Sequence, residues 1–166
     1  TPTLSSAASD VYKRQSEDPI FYTLDGTKPG SNDLLYIDPI PIMNTTVLKV
    51  RSMGLNKLPS EVLASTYFIS EQNYLPAISL SAKPETLWDE DIGIYENEYK
   101  QREIPVTIEY FTPENNYQFT VSAGARIGGE NIWTKPQKPF TIYTRNRFGQ
   151  DFITYPLFKN KPLNNG

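Results

Sequence analysis

The chain contains no cysteine and no histidine. Without cysteine, no disulfide can staple it and no thiolate can hold a metal. Without histidine, the usual proton shuttle at neutral pH and the commonest metal ligand are both missing. No apolar run approaches the ~20 residues that a membrane-spanning helix needs, so no transmembrane segment is expected. The net charge is −3, with no general basic footprint, so no nucleic-acid partner is expected either. Any chemistry must rest on Lys, Arg, Asp, Glu, Tyr or the backbone.

What is present points to β structure. Hydrophobic residues make up 38% and aromatics 13%, enough to build a core. Fourteen prolines and nine glycines are scattered rather than clustered, so they punctuate short segments. Strands are expected at Ile20–Thr23, Leu34–Ile37, Val47–Met53 and Val62–Ile69. Asp25-Gly26 is a tight-turn signal. In the third strand, alternation predicts Leu48 and Val50 facing in, with Lys49 and Arg51 facing out. A split is expected near Ser70–Tyr74. Beyond it, strands are predicted over LPAISLSA, PVTIEYF, VSAGARIGG and KPFTIYTR. A short helical or turn segment is expected at PETLWDEDIGIY. Val106, Ile108 and Tyr110 share one face, which puts Glu109 toward solvent.

Ser5 to Gln15 (SSAASDVYKRQ) resembles one translated frame of a transposon-based sequencing adapter, as a metagenomic read would carry. Residues 1–15 are therefore read as an unstructured scar and kept out of fold reasoning, and both natural termini are expected to lie elsewhere. IFYTLDGTKP, LLYIDPIPI, TTVLKVRSMG and PSEVLASTYFI, in that order, resemble the chitobiase/β-hexosaminidase C-terminal domain. The resemblance implies an immunoglobulin-like β-sandwich appended to secreted bacterial enzymes. Its first strand would precede Ile20, which leaves an edge strand unpaired.

LPAISLSAKPETLWDEDIGIY, PVTIEYFTPE, SAGARIGG, KPQKPFTIYTRNRFG and ITYPLF resemble the N-terminal portion of the CotH (spore-coat H) kinase family. The expected organisation is a sandwich over 16–70, a linker over 71–74 and a truncated CotH-like kinase domain over 75–166. The fold class is thus mainly β: a truncated antiparallel immunoglobulin-like sandwich, then a β-rich fragment of an α+β kinase-like domain. The CotH resemblance implies an atypical secreted or cell-surface protein kinase, using ATP and Mg, with surface or coat proteins as substrates. The chitobiase resemblance adds glycans as alternative partners.

Phosphoryl transfer needs a cation for the phosphates, carboxylates for the metal and a positioned base. Lys138 is the candidate phosphate-binding lysine, beside Gly128 and Gly129, with Arg126 able to face the same site. The alternative for Lys138 is a solvated edge-strand lysine, and for the glycines a plain turn. The stretch between them carries Ile132, Trp133 and Pro139, where relatives have a more regular run. Charge is segregated: residues 131–150 hold Lys135, Lys138, Arg145 and Arg147 without an acid, while residues 85–103 are acid-rich. This is either a nucleotide-facing patch or two complementary solvated surfaces. Asp89-Glu90-Asp91 is a candidate cation site or a solvated turn. Trp88 and Trp133 are read as packing residues, with a sugar platform as the alternative. The kinase's catalytic base and metal aspartates are expected beyond Phe158, where no acid follows. No catalytic residue and no metal ligand is therefore assigned; this chain by itself is expected to be inactive and to bind no cofactor firmly, ATP and Mg being expected only in a full-length parent. The rival reading is a non-enzymatic adhesion or carbohydrate-binding module.

Overall fold

The computed structural model describes residues 18–129, 137–149 and 151–157. The scar, Lys135, Trp133 and Phe158 lie outside them. The protein is mainly β, with two four-stranded sheets whose strands run antiparallel. The described residues divide into two compact units: those up to Ala77 with Thr112–Asn116, and Ile78–Phe111 with those from Tyr117 onward.

The first unit holds β1 (Ile20–Thr23), β2 (Leu34–Leu35), β3 (Thr46–Ser52) and β4 (Leu63–Tyr67), in the order β2-β1-β3-β4. β1 pairs with β3 through Phe21 opposite Arg51 and Thr23 opposite Lys49. β3 pairs with β4 through Leu48 opposite Ser65. β1 is paired on both sides, and among the described residues the sheet edges are β2 and β4. Only Leu34 and Leu35 of the expected Leu34–Ile37 strand form a ladder. Asp25 builds the turn that leaves β1. Its Oδ1 accepts from the Thr27 amide at 3.0 Å and the Thr27 hydroxyl at 2.6 Å. Gly26 takes the left-handed φ of 80° that the turn requires. These Thr27 bonds hold the Asp25 carboxyl below its ordinary value; the Lys49 charge adds a smaller pull, and burial opposes it.

Lys49 does not face solvent as alternation predicts: it is 7% exposed. β3 is a central strand, and Lys49 shares a face with Thr23, which is also buried. Both faces of this sheet are therefore partly covered, and period-2 alternation cannot reveal a covered second face.

The second unit holds α1 (Pro84–Trp88) and β8 (Phe140–Tyr143), and all but the end residues Ala77, Thr112 and Asn116 of β5 (Ala77–Ser81), β6 (Ile104–Thr112) and β7 (Asn116–Ile127). The sheet order is β5-β6-β7-β8. Pro84 opens α1 where its missing N–H costs nothing, with Glu85 favourable in the first turn. The chain then folds back on α1: the Ile94 and Tyr95 amides donate to Thr86 O and Leu87 O, each at 3.0 Å. That reversal buries Ile94 in the core with Ile104, Val106, Ile108, Val121, Ala123, Ala125 and Ile127. The core face of β6 is the one its alternation predicts. Glu109, however, is 1% exposed. β6 lies inside the sheet, and Phe111, on the same face as Glu109, is buried too, so that face is also covered.

Asp89 is a turn-former: its Oδ1 accepts from the Asp91 and Ile92 amides at 2.9 and 3.0 Å. Asp89, Glu90 and Asp91 are all exposed. Trp88 is 57% exposed, with its ring against Tyr95 at a centroid distance of 4.3 Å. It is a surface shelf rather than a core residue.

Candidate functional site

The β7–β8 pair positions most of the cationic side chains expected to carry function. Arg126 lies opposite Thr141 and Gly124 opposite Tyr143. These four share one face, while Ala125 and Ile127 point into the core. Diagonal neighbours on one face of a sheet can touch, and the Arg126 guanidinium lies 5.1 Å from the Tyr143 ring centre. The Arg145 guanidinium lies 4.7 Å from the same ring. Gly124 has no side chain because Phe148 needs the space: a Cβ there would overlap the Phe148 ring. Phe148 in turn sits 4.7 Å from the Arg147 guanidinium.

Two carboxylates from the acid-rich stretch meet these cations. Glu103, just before β6, is 12% exposed; its Oε1 pairs with Arg145 Nη2 at 3.1 Å and its Oε2 with Arg147 Nη2. Glu98 pairs with Lys138, the two side chains being 13% and 12% exposed. That contact is charge pairing rather than a directed hydrogen bond, because the buried Glu98 Oε2 accepts no bond of good geometry. The acidic and basic runs are thus complementary, but the carboxylates that join them are largely buried rather than solvated.

At the end of β7, the Gly128 amide donates to Pro139 O at 3.0 Å. A Cβ at Gly128 would strike the Thr141 hydroxyl. Gly129 has φ 117°, a region L side chains rarely adopt. Lys138 and the two glycines therefore meet at one end of the β7–β8 pair, and Arg126 lies on the outer face of that pair. Sequence reasoning missed Glu98, Glu103, Gln101, Tyr143, Gly124 and Phe148. The opposed charge runs were the one available signal for the two glutamates.

Arg126, Lys138, Arg145 and Arg147 outnumber Glu98 and Glu103 by two charges. This arrangement fits an oxyanion such as a phosphate. Among the described residues, no group of three or more carboxylates or histidines is placed to hold a metal. A cleft of about 480 Å³ opens beside Gln101, Glu103, Arg147 and Phe148. Among the described residues, no helix is long and apolar enough to cross a membrane.

The family model described as Fn3 associated matches residues 11–67. The match begins at Val11, inside the stretch read as adapter, and ends at Tyr67, the last residue of β4. No curated protein and no solved structure matches the chain. Residues 11–67 therefore carry the signature of a fibronectin-III or chitobiase-like associated module, an accessory β-unit, while the CotH resemblance of residues 75–166 rests on its sequence blocks alone.

Proposed function

We propose that the chain joins an accessory β-module to the nucleotide-binding beginning of a CotH-like phosphotransferase, secreted or held at a bacterial cell surface. The observation that carries this reading is the Lys138–Glu98 pair, nearly buried and set beside the glycine end of β7. A lysine aimed by a glutamate and placed near a glycine turn is the arrangement that steers phosphates in protein kinases. Lys138 would meet the phosphates, Gly128 and Gly129 would allow close backbone approach, and Arg126 would add charge. Magnesium, the metal aspartates and the base would come from further sequence, with surface or coat proteins as acceptors. In a longer chain that carries those aspartates, Mg–ATP is expected to raise the melting temperature, and Lys138→Ala to abolish that rise. An unmoved melt of that longer chain with saturating Mg–ATP contradicts the reading.

A second reading, a non-enzymatic glycan-contacting module, is favoured by the Trp88 shelf. Trp88→Ala abolishing retention on immobilised polysaccharide would support it.

A further inference from the structure

We infer that Arg145, Arg147 and Glu103 form a phosphomonoester site in which Glu103 stands in for the ligand. Two guanidiniums share one carboxylate, and each takes a different oxygen of it. Each guanidinium meets Glu103 through Nη2, and a guanidinium carries five N–H donors, so each planar fork keeps further N–H donors. The trio is left with one excess positive charge. The guanidiniums are about half exposed, whereas Glu103 is 12% exposed. An incoming oxyanion therefore meets the cations first.

The surroundings are built to hold this geometry. Arg145 is braced against Tyr143 and Arg147 against Phe148. Phe148 is seated in the gap that Gly124 leaves. Gln101 lines the cleft with its backbone in the left-handed region at φ 46°, a strained conformation for a residue other than glycine. The cleft is shallow and open, so it leaves the two guanidiniums accessible to a ligand that carries the phosphate. A phosphomonoester carries three terminal oxygens, so it can bridge two arginine forks where the carboxylate gives each only one oxygen.

This site uses neither Lys138 nor a metal, so it does not depend on the nucleotide reading. The test is calorimetric titration of the full chain with inorganic phosphate, without metal. Phosphate is expected to bind, and Arg147→Ala to weaken binding at least about tenfold, the loss of one charge-assisted contact. Arg147→Lys, which keeps the charge but not the fork, should fall between. Glu103→Gln should strengthen binding about tenfold, because it removes a negative charge beside the anion. Phosphate binding that is absent, or that Glu103→Gln weakens or leaves unchanged, overturns the proposal. Adenosine monophosphate binding more tightly than phosphate would identify a nucleotide source, and O-phosphoserine doing so a phosphoprotein source. If Mg–ATP leaves the melt of the longer chain unmoved while these variants behave as expected, the nucleotide reading falls and this site stands. If Mg–ATP shifts that melt but phosphate does not bind, this site falls and the nucleotide reading stands.

Discussion

The first unit matches a family model yet has a thin core, whereas the second has a core and no match. Buried apolar residues of the first unit's sheet and loops include Ile20, Ile42 and Leu48, accompanied by buried Thr23, Lys49, Ser52 and Thr66. The second unit buries a continuous cluster on β6 and β7, closed by Ala82 and Ile94. The contrast teaches that a family signature and a stable core are different things. The blocks that carry the first unit's resemblance include a turn, and the structure shows what that turn does: Asp25 and Thr27 organise the exit from β1 by hydrogen bonds. The second unit's identity is spread over apolar alternation, which many β proteins share.

The largest expected effect lies in the second core. Ile108→Ala should cost about 2–5 kcal/mol, the usual range for emptying a packed aliphatic site. Both tryptophans lie beyond residue 77 in sequence, so tryptophan fluorescence during denaturant unfolding reports on this unit. An unchanged fluorescence midpoint would break the comparison.

Next in size is Gly124→Ala, expected to cost about 1–3 kcal/mol by overpacking against Phe148. It should also weaken phosphate binding, because Phe148 braces Arg147. Equal stability with unaltered phosphate affinity would remove Phe148 from the site.

A smaller effect is expected in the first unit. Thr27→Val deletes the hydroxyl bond to Asp25 while keeping the amide bond, and should cost about 1 kcal/mol. Amide exchange of β1 and β3 would detect it, with the second unit's amides unmoved.

The smallest effect concerns pH. The Asp25 carboxyl is held below its ordinary value of 3.8 in the folded unit. Its contribution to stability is therefore fully present above that value and is lost as pH falls through the lowered folded value. Asp25→Asn should flatten the acid arm of the first unit's stability curve below about pH 4. An acid arm identical in the variant would assign it to other carboxylates.

Much of the strand pattern is legible in the sequence. Ile20–Thr23 forms β1 as its residues suggest, and β3 and β4 differ from the expected strands only at their ends. Val106 and Ile108 line the core as their alternation requires, and Tyr110 of the same face is buried too. Alternation misplaces Lys49 and Glu109 for one reason. It separates the two faces of a strand, but it does not say whether the polar face is covered. The partners of the site are hidden by distance along the chain. Glu98 meets Lys138 and Glu103 meets Arg145 and Arg147 only after β6, β7 and β8 have been laid side by side. Gly124 looks like one more small residue in VSAGARIGG until Phe148 is placed over it. The apolar bulk of Trp88 suggests a packed position, while the short α1 leaves it at the surface on Tyr95.

Lys138 and the glycine end of β7 are proposed to hold nucleotide phosphates. The decisive measurement is titration with Mg–ATP of a chain long enough to carry the metal aspartates, followed residue by residue by amide NMR. Shifts are expected at Arg126–Gly129 and at Lys138–Tyr143, with β1–β4 amides unmoved. Shifts confined to β1–β4, or none at saturating nucleotide, would contradict nucleotide binding at Lys138.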